Sequence, residues 1–356
     1  MRELRFLVPG TGPRFRCGGL SVELQTARLV ADLAPTQVVT YRERQTQLPR
    51  LDDLLRAEPL GSAEADRALW VVSWGFDVPR LLRRLRGRRV AYHAHSSGYG
   101  FSLPPGVPVL AVSRNTLGYW GDRAPRSPLF LVPNALEPQW LLRGDRPRPD
   151  LATDDLRPSS GRRPIDVLVQ QRKCSTYVLE QLVPALRQRG LRVEVQSGWV
   201  EDLVDLFNSA AVVLYDSADY WRGRGVSEGF GLPPIEALAC GCVVFSSLNH
   251  ALADCLDPGV VGHQLGEGSL AADVARIAAA VADPSHWQAD PTNLHRLLDQ
   301  LDEGVLRQRW RRALTSIEAH WDRLLLQGEP ALHSPSPAQV RLTLWRQKLT
   351  RLLKRP

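Results

Sequence analysis

Lysine is almost missing from this chain. Three lysines stand against 42 arginines in 356 residues; two lie near the C-terminus and the third, Lys173, stands alone in the body. Such avoidance points to a task at position 173 that arginine does not serve equally well. Long apolar runs are also lacking, and none approaches the roughly 18 residues of a membrane span. The opening "MRELRFLVPG" breaks its short apolar stretch with an acid, which argues against a signal peptide. Five cysteines, an odd number without framework spacing, exclude a disulfide scaffold and fit reduced thiols in the cytoplasm. Acids are absent from "AQVRLTLWRQKLTRLLKRP" (338–356), whose four arginines and two lysines carry +6 of the net +7. The remaining body is near neutral, which argues against a large nucleic-acid-binding surface.

What is there reads as a soluble α/β protein long enough for two domains. Short apolar runs alternate with helical segments: "RFLVP" (5–9), "QVVTY" (37–41), "ALWVVSW" (68–74), "RVAYHAH" (89–95), "VPVLAVS" (107–113) and "LFLVP" (129–133). They are apolar on both faces, as buried parallel strands are. Residues 142–164, rich in Pro, Asp, Arg and Ser, break the pattern and read as a polar linker. The alternation restarts at "IDVLVQ" (165–170) and runs through "LRVEV", "AVVLY" and "CVVFSS". The expected organisation is an N-terminal Rossmann-like domain over 1–141, the linker, a C-terminal Rossmann-like domain over 165–330, and a basic amphipathic tail over 331–356. Two doubly wound domains then face each other across a cleft that takes the ligand.

The densest chemistry lies in "SEGFGLPPIEALACG" (227–241). Gly229 and Gly231 free the backbone to turn and to bring N–H groups close to a ligand. Pro233 and Pro234 suit the first turn of a helix, whose N-terminus favours phosphate. Glu228 and Glu236 are placed to accept hydrogen bonds from diols. A helix start with dipole-compensating acids is the plain alternative. Arg172 and Lys173 follow a strand at the crevice, where two cations could neutralise a diphosphate; a solvated surface pair is the alternative. His93 and His95 share one face of a strand, with His95 at its C-terminal end. No further ligands follow them in sequence, so no metal site is expected. In "GTGPRFRCGGL" (10–20), Phe15 stands where a dinucleotide fingerprint needs its third glycine, which argues against an oxidoreductase.

The stretch "SEGFGLPPIEALACGCVVFSS" resembles the E-x7-E signature of retaining glycosyltransferases of the two-Rossmann (GT-B) type, the family 4 or group 1 kind. In weaker form the resemblance covers about residues 4–285, including "VPNALEP" (132–138) and "WVEDLVDLFNSAAVVLYDS" (199–217). It implies transfer of a hexose from a nucleotide-diphosphate sugar, with retention, to a sugar, glycan or lipid-linked acceptor. It further implies that Glu236 holds the donor ribose and Glu228 the hydroxyls of the transferred sugar. Backbone N–H groups of Phe230, Gly231 and Leu232 would contact sugar and phosphate, and Gly18 and Gly19 would lie near the donor phosphates. His95 would contact the donor sugar, and Arg172 and Lys173 would hold the diphosphate, although the family's two cations usually stand several residues apart. No D-x-D occurs, so these charges are expected to replace a metal, with no cofactor beyond the nucleotide-sugar co-substrate. Two alternatives share the fold: a non-catalytic nucleotide-sugar-binding protein and a glycogen- or starch-synthase-like polymerase. The tail, where Val340, Leu344, Trp345 and Leu352 alternate with basic residues, is read either as lying on the inner face of an anionic membrane or as packing back on the first domain.

Overall fold

A computed structural model describes residues 1–146 and 163–353, with side chains given through residue 350. The bulk of the expected linker therefore lies outside the described residues, as does the side chain of Leu352. Six strands, β1 (Glu3–Val8), β2 (Thr36–Thr40), β3 (Ala68–Val72), β4 (Arg89–Ala94), β5 (Val109–Ala111) and β6 (Leu129–Leu131), form one parallel sheet. Its order is β2-β1-β3-β4-β5-β6. A second parallel sheet contains β7 (Ile165–Gln170), β8 (Val193–Gln196), β9 (Ala210–Tyr215), β10 (Val243–Ser246) and β11 (His263–Gln264). Its order is β11-β10-β9-β7-β8.

In each sheet the winding reverses beside the first strand, between β1 and β3 and between β7 and β9. Carboxyl-end loops part at such a reversal and leave a crevice. The fold is thus two Rossmann-like α/β domains. The central strands β1 and β3 are buried on both faces, as their apolar runs require: Phe6, Leu7, Val8, Trp70, Val71 and Val72 have no measurable exposure.

Two segments cross between the domains. Leu136 and Trp140, in the range assigned by sequence to the first domain, pack into the second core, where Trp140 meets Phe207 at 5.5 Å between ring centroids. Conversely, the helix Glu303–Leu325 falls in the range assigned to the second domain but buries its face against the first sheet. Leu306, Trp310, Leu314, Ile317 and Trp321 pack beside Leu4, Phe6 and Leu69. The Trp321 Nε1–H donates to the Val90 carbonyl at 3.0 Å, fixing that helix across β4. A final helix, Pro337–Leu353, follows, and every residue from 335 to 350 is exposed. Packing of the tail onto the first domain, one of the two sequence readings, is not what this structure contains; the returning helix is Glu303–Leu325 instead. Among the described residues no helix is long and apolar enough to cross a membrane.

Candidate active site

The helix Leu232–Ala239 begins as the sequence predicts, with Pro233 and Pro234 in its first turn. Its cap, Gly231, has φ 84° and ψ 58°, the left-handed region that glycine enters without strain. A Cβ at Gly231 would lie 2.3 Å from Leu252 Cδ2, so a larger residue would also have to displace that side chain. The two prolines carry no N–H, so the amides free at this end belong to the backbone of Phe230, Gly231 and Leu232. The Phe230 ring itself is in the core, 6% exposed, leaving only its backbone for a ligand.

Gly229 serves a purpose the sequence did not suggest. Its missing Cβ would stand 1.4 Å from the His95 carbonyl oxygen, on the loop after β4. The close approach is therefore to the opposite domain rather than to a ligand. Next to it, Ser227 N–H donates to Ser97 O at 3.1 Å, Ser97 N–H to Ser227 Oγ at 3.0 Å, and Ser96 Oγ–H to Ser227 O at 2.6 Å. This seam brings the Glu228 loop against the end of β4, with His95 between them.

Glu228 is 5% exposed, and its Oε2 accepts both the Tyr215 hydroxyl and the Trp221 indole N–H at 2.7 Å. Lys173 Nζ lies 4.0 Å from its other oxygen and 4.5 Å from the Trp221 ring centroid. Two donors fix the carboxylate on one oxygen, and the lysine faces the second. Lys173 has φ 68°, rare for a side-chain-bearing residue. Such strain costs on the order of 1–2 kcal/mol and persists where surroundings impose it, often at functional sites. Arg172, its neighbour, is exposed and forms no ion pair among the described residues. The adjacent cations thus separate: Lys173 turns toward Glu228, and Arg172 sits in solvent.

Glu236 is in the second turn of its helix and partly buried. Burial pushes its carboxyl up to about 8, and the nearby Glu137 carboxylate adds to the rise. Among the described residues it is a carboxyl group without a charge partner, poised to ionise when polar hydroxyls arrive.

The first domain contributes a cluster that sequence spacing hid. Glu23, on the helix Gly18–Val30, is 1% exposed, and its Oε1 lies 2.7 Å from His93 Nδ1 and 2.6 Å from His95 Nε2. Burial opposes ionisation of Glu23, but the two imidazoles outweigh it and hold the carboxyl down at about 2. Burial likewise lowers His93, against the pull of Glu23. An ionised carboxylate only accepts, so His93 carries its proton on Nδ1 and His95 carries one on Nε2. His95 Nδ1 is then the ring nitrogen not engaged by Glu23. The ligand atoms of Glu23, His93 and His95 lie within 4.8 Å of one another, so a third potential ligand stands beside the histidine pair in space although none follows it in sequence. The third group comes from 70 residues upstream, so local spacing could not reveal it. At the same helix, Gly18 would meet nothing within 4 Å if it bore a Cβ, and Gly19 only the Cys17 sulfur at 3.9 Å. The space beside the expected Gly-Gly loop is thus open.

The structure thus brings together Glu228, Lys173 and the Leu232–Ala239 helix start, with His95 opposite, and leaves Arg172 at the margin. Tyr215, Trp221, Ser227 and Glu23 were missed by sequence reading. Only Tyr215 offered a signal, as the polar end of an apolar strand.

Comparison with known proteins fits this geometry. Residues 180–293 match the family model described as glycosyl transferases group 1. No curated protein matches the chain in sequence. Among solved structures, Anabaena HepE in complex with UDP-glucose has a TM-score of 0.61 at 17% identity, over 89% of this chain and 100% of its own. The sucrose-phosphate synthase of Thermosynechococcus elongatus has 0.59 at 14%, over 90% and 100%. The lipopolysaccharide outer core galactosyltransferase WaaB in its apo form has 0.56 at 13%, over 88% and 99%. This chain therefore has the GT-B fold along most of its length, and a segment in its second half is similar to the glycosyl transferases group 1 model.

Proposed function

We propose that this protein is a glycosyltransferase that moves a hexose from a nucleotide-diphosphate sugar to a sugar, glycan or lipid-linked acceptor, with retention and without a metal on the diphosphate. The observation that carries the reading is Lys173. The one lysine of the body is held in a strained conformation beside Glu228, which lies within the segment matching the group 1 model, shortly before the helix Leu232–Ala239. The arrangement suits a diphosphate flanked by hydroxyl-rich groups. Glu236 takes the ribose, and Glu228, clamped by Tyr215 and Trp221, takes hydroxyls of the sugar. Lys173 and the amides of Gly231, Leu232, Gly18 and Gly19 receive the charge that develops as the diphosphate departs. Arg172 reaches the same phosphates only by swinging in from solvent. His95, oriented by Glu23, meets the sugar from the first domain. The leaving phosphate oxygen takes the acceptor proton, so no separate general base is required. A cytoplasmic location accords with five cysteines that form no disulfide.

HepE has been seen with UDP and with UDP-glucose, so UDP-sugars are the first donors to try. The test measures melting temperature against UDP-, GDP- and ADP-sugars in the presence of a chelator, on the wild type and on Glu236→Ala. A ligand at about 100 times its Kd adds roughly 2.7 kcal/mol. Stabilisation of the wild type by one nucleotide, lost in the variant, supports both donor and ribose contact. An NMR reading of the product's anomeric configuration then decides retention. If no nucleotide shifts either protein, the reading falls.

A further inference from the structure

The helix Pro337–Leu353 is a 17-residue element whose residues through 350 are all exposed and pack on no part of the body among the described residues. Isolated helices of this length are marginal in water, and most helices owe their stability to an apolar face buried against something else. Here Leu342 is 47% exposed, Trp345 59% and Leu349 37%. Spaced i, i+3 and i+7, they form one stripe on one face of the helix. Arg341 and Lys348 flank the stripe on one side and Arg346 on the other. Val340 and Leu344, which the sequence reading emphasised, lie on the opposite face by helical spacing. No acid occurs after Glu329.

We propose that this helix is a docking element for an anionic lipid surface, lying in the plane of the interface. The Leu342–Trp345–Leu349 stripe enters the boundary between headgroups and acyl chains, and the flanking cations meet lipid phosphates. Charge complementarity selects this occupant. A second copy of the chain would set one all-basic helix against another. A nucleic acid would engage the cations and leave the apolar stripe in water. A lipid interface accommodates both faces of the helix, and tryptophan is favoured at that depth. If the transfer activity proposed above also holds, such docking would bring the cleft to a lipid-linked acceptor. The docking itself does not depend on that activity.

The test is co-flotation of the full chain with vesicles of phosphatidylcholine alone, or of phosphatidylcholine with phosphatidylglycerol, without nucleotide. It uses wild type, Arg341→Gln/Arg346→Gln/Lys348→Gln, and Trp345→Ser/Leu349→Ser. All five positions are exposed, so an unchanged melting temperature is expected and checks folding. Expected is binding to the anionic vesicles only, weakened about fivefold per cation removed and so roughly a hundredfold in the triple variant, and reversed by high salt. The apolar variant should also lose binding. Three outcomes overturn the proposal: no difference between the vesicle types; a wild type that forms dimers through this helix and does not float; or tighter binding to single-stranded RNA, with the apolar variant unaffected. Because nucleotide is absent, failure here leaves the transferase reading standing, and failure of nucleotide binding leaves this one standing.

Discussion

Gly229→Ala is the most direct probe of how the two domains meet. The added Cβ would lie 1.4 Å from His95 O, 2.6 Å from His95 C and 3.3 Å from Ser96 N. All three are backbone atoms, so no side-chain rotation relieves the clash. The segments must part by roughly 2 Å before the contact becomes tolerable. That displacement breaks at least three of the five hydrogen bonds that join Ser227 to Ser96 and Ser97. At about 0.5–1.5 kcal/mol each, three are together worth roughly 1.5–4.5 kcal/mol, a tenfold to thousandfold loss of the closed arrangement. Transfer needs both sides of the cleft, so kcat/KM should fall by a factor in that range. The melting temperature of each separate core should hardly move, since neither is touched. The assay is steady-state transfer with the donor found by thermal shift, beside nucleotide affinity by calorimetry. Affinity should fall much less than kcat/KM, because Lys173 and Glu236 stand on the second domain. Wild-type turnover in Gly229→Ala would refute the role given to this contact.

Three further outcomes follow from individual side chains. Glu236 keeps its proton in the folded state up to about pH 8, whereas the unfolded chain loses it near 4.5. The wild type therefore loses stability as pH rises between those values, and Glu236→Gln should be more stable by a margin that widens over that window, read by urea unfolding at several pH values. By the same linkage, nucleotide binding near neutral pH should release a proton in the wild type but not in the variant, measured by calorimetry in buffers of different ionisation enthalpy. Lys173→Gly exchanges relief of the positive φ for loss of the cation–π contact with Trp221, so stability should change by less than about 1 kcal/mol. Nucleotide-diphosphate affinity should nonetheless drop at least about tenfold, or more than 1.4 kcal/mol, and unchanged affinity would remove Lys173 from the site. Glu23→Gln retains an oxygen acceptor but loses the charge shared by His93 and His95. It should cost about 1–3 kcal/mol of stability and change both the pH–rate profile and the histidine tautomers seen by nitrogen NMR. An unaltered profile would limit Glu23 to packing.

Much of the fold was legible because parallel sheets write themselves into sequence as repeated runs apolar on both faces. The run 165–170 corresponds residue for residue to β7, and 211–215 falls within β9. The run 107–113 overshoots β5, which spans only Val109–Ala111. β11, two residues long, left no pattern to read. The start of the Leu232–Ala239 helix was legible because Gly and Pro act through backbone geometry that needs no distant partner. The partners of Glu228 were not, because Tyr215 and Trp221 reach it only after β9 and the following turn are placed.

The sequence by itself determined the alternation of strands and helices, the glycine–proline entry to one helix, the singular lysine at 173 and the all-basic tail. Each of these is a property of neighbours along the chain. The tertiary structure alone decided that Gly229 admits His95 of the other domain, that Glu23 grips His93 and His95, and that Lys173 rather than Arg172 faces Glu228. It also decided that Glu303–Leu325 returns to the first sheet while Pro337–Leu353 stands free. Each of these depends on surfaces brought together from distant positions, where contact is set by how the two sheets pack and not by any local rule.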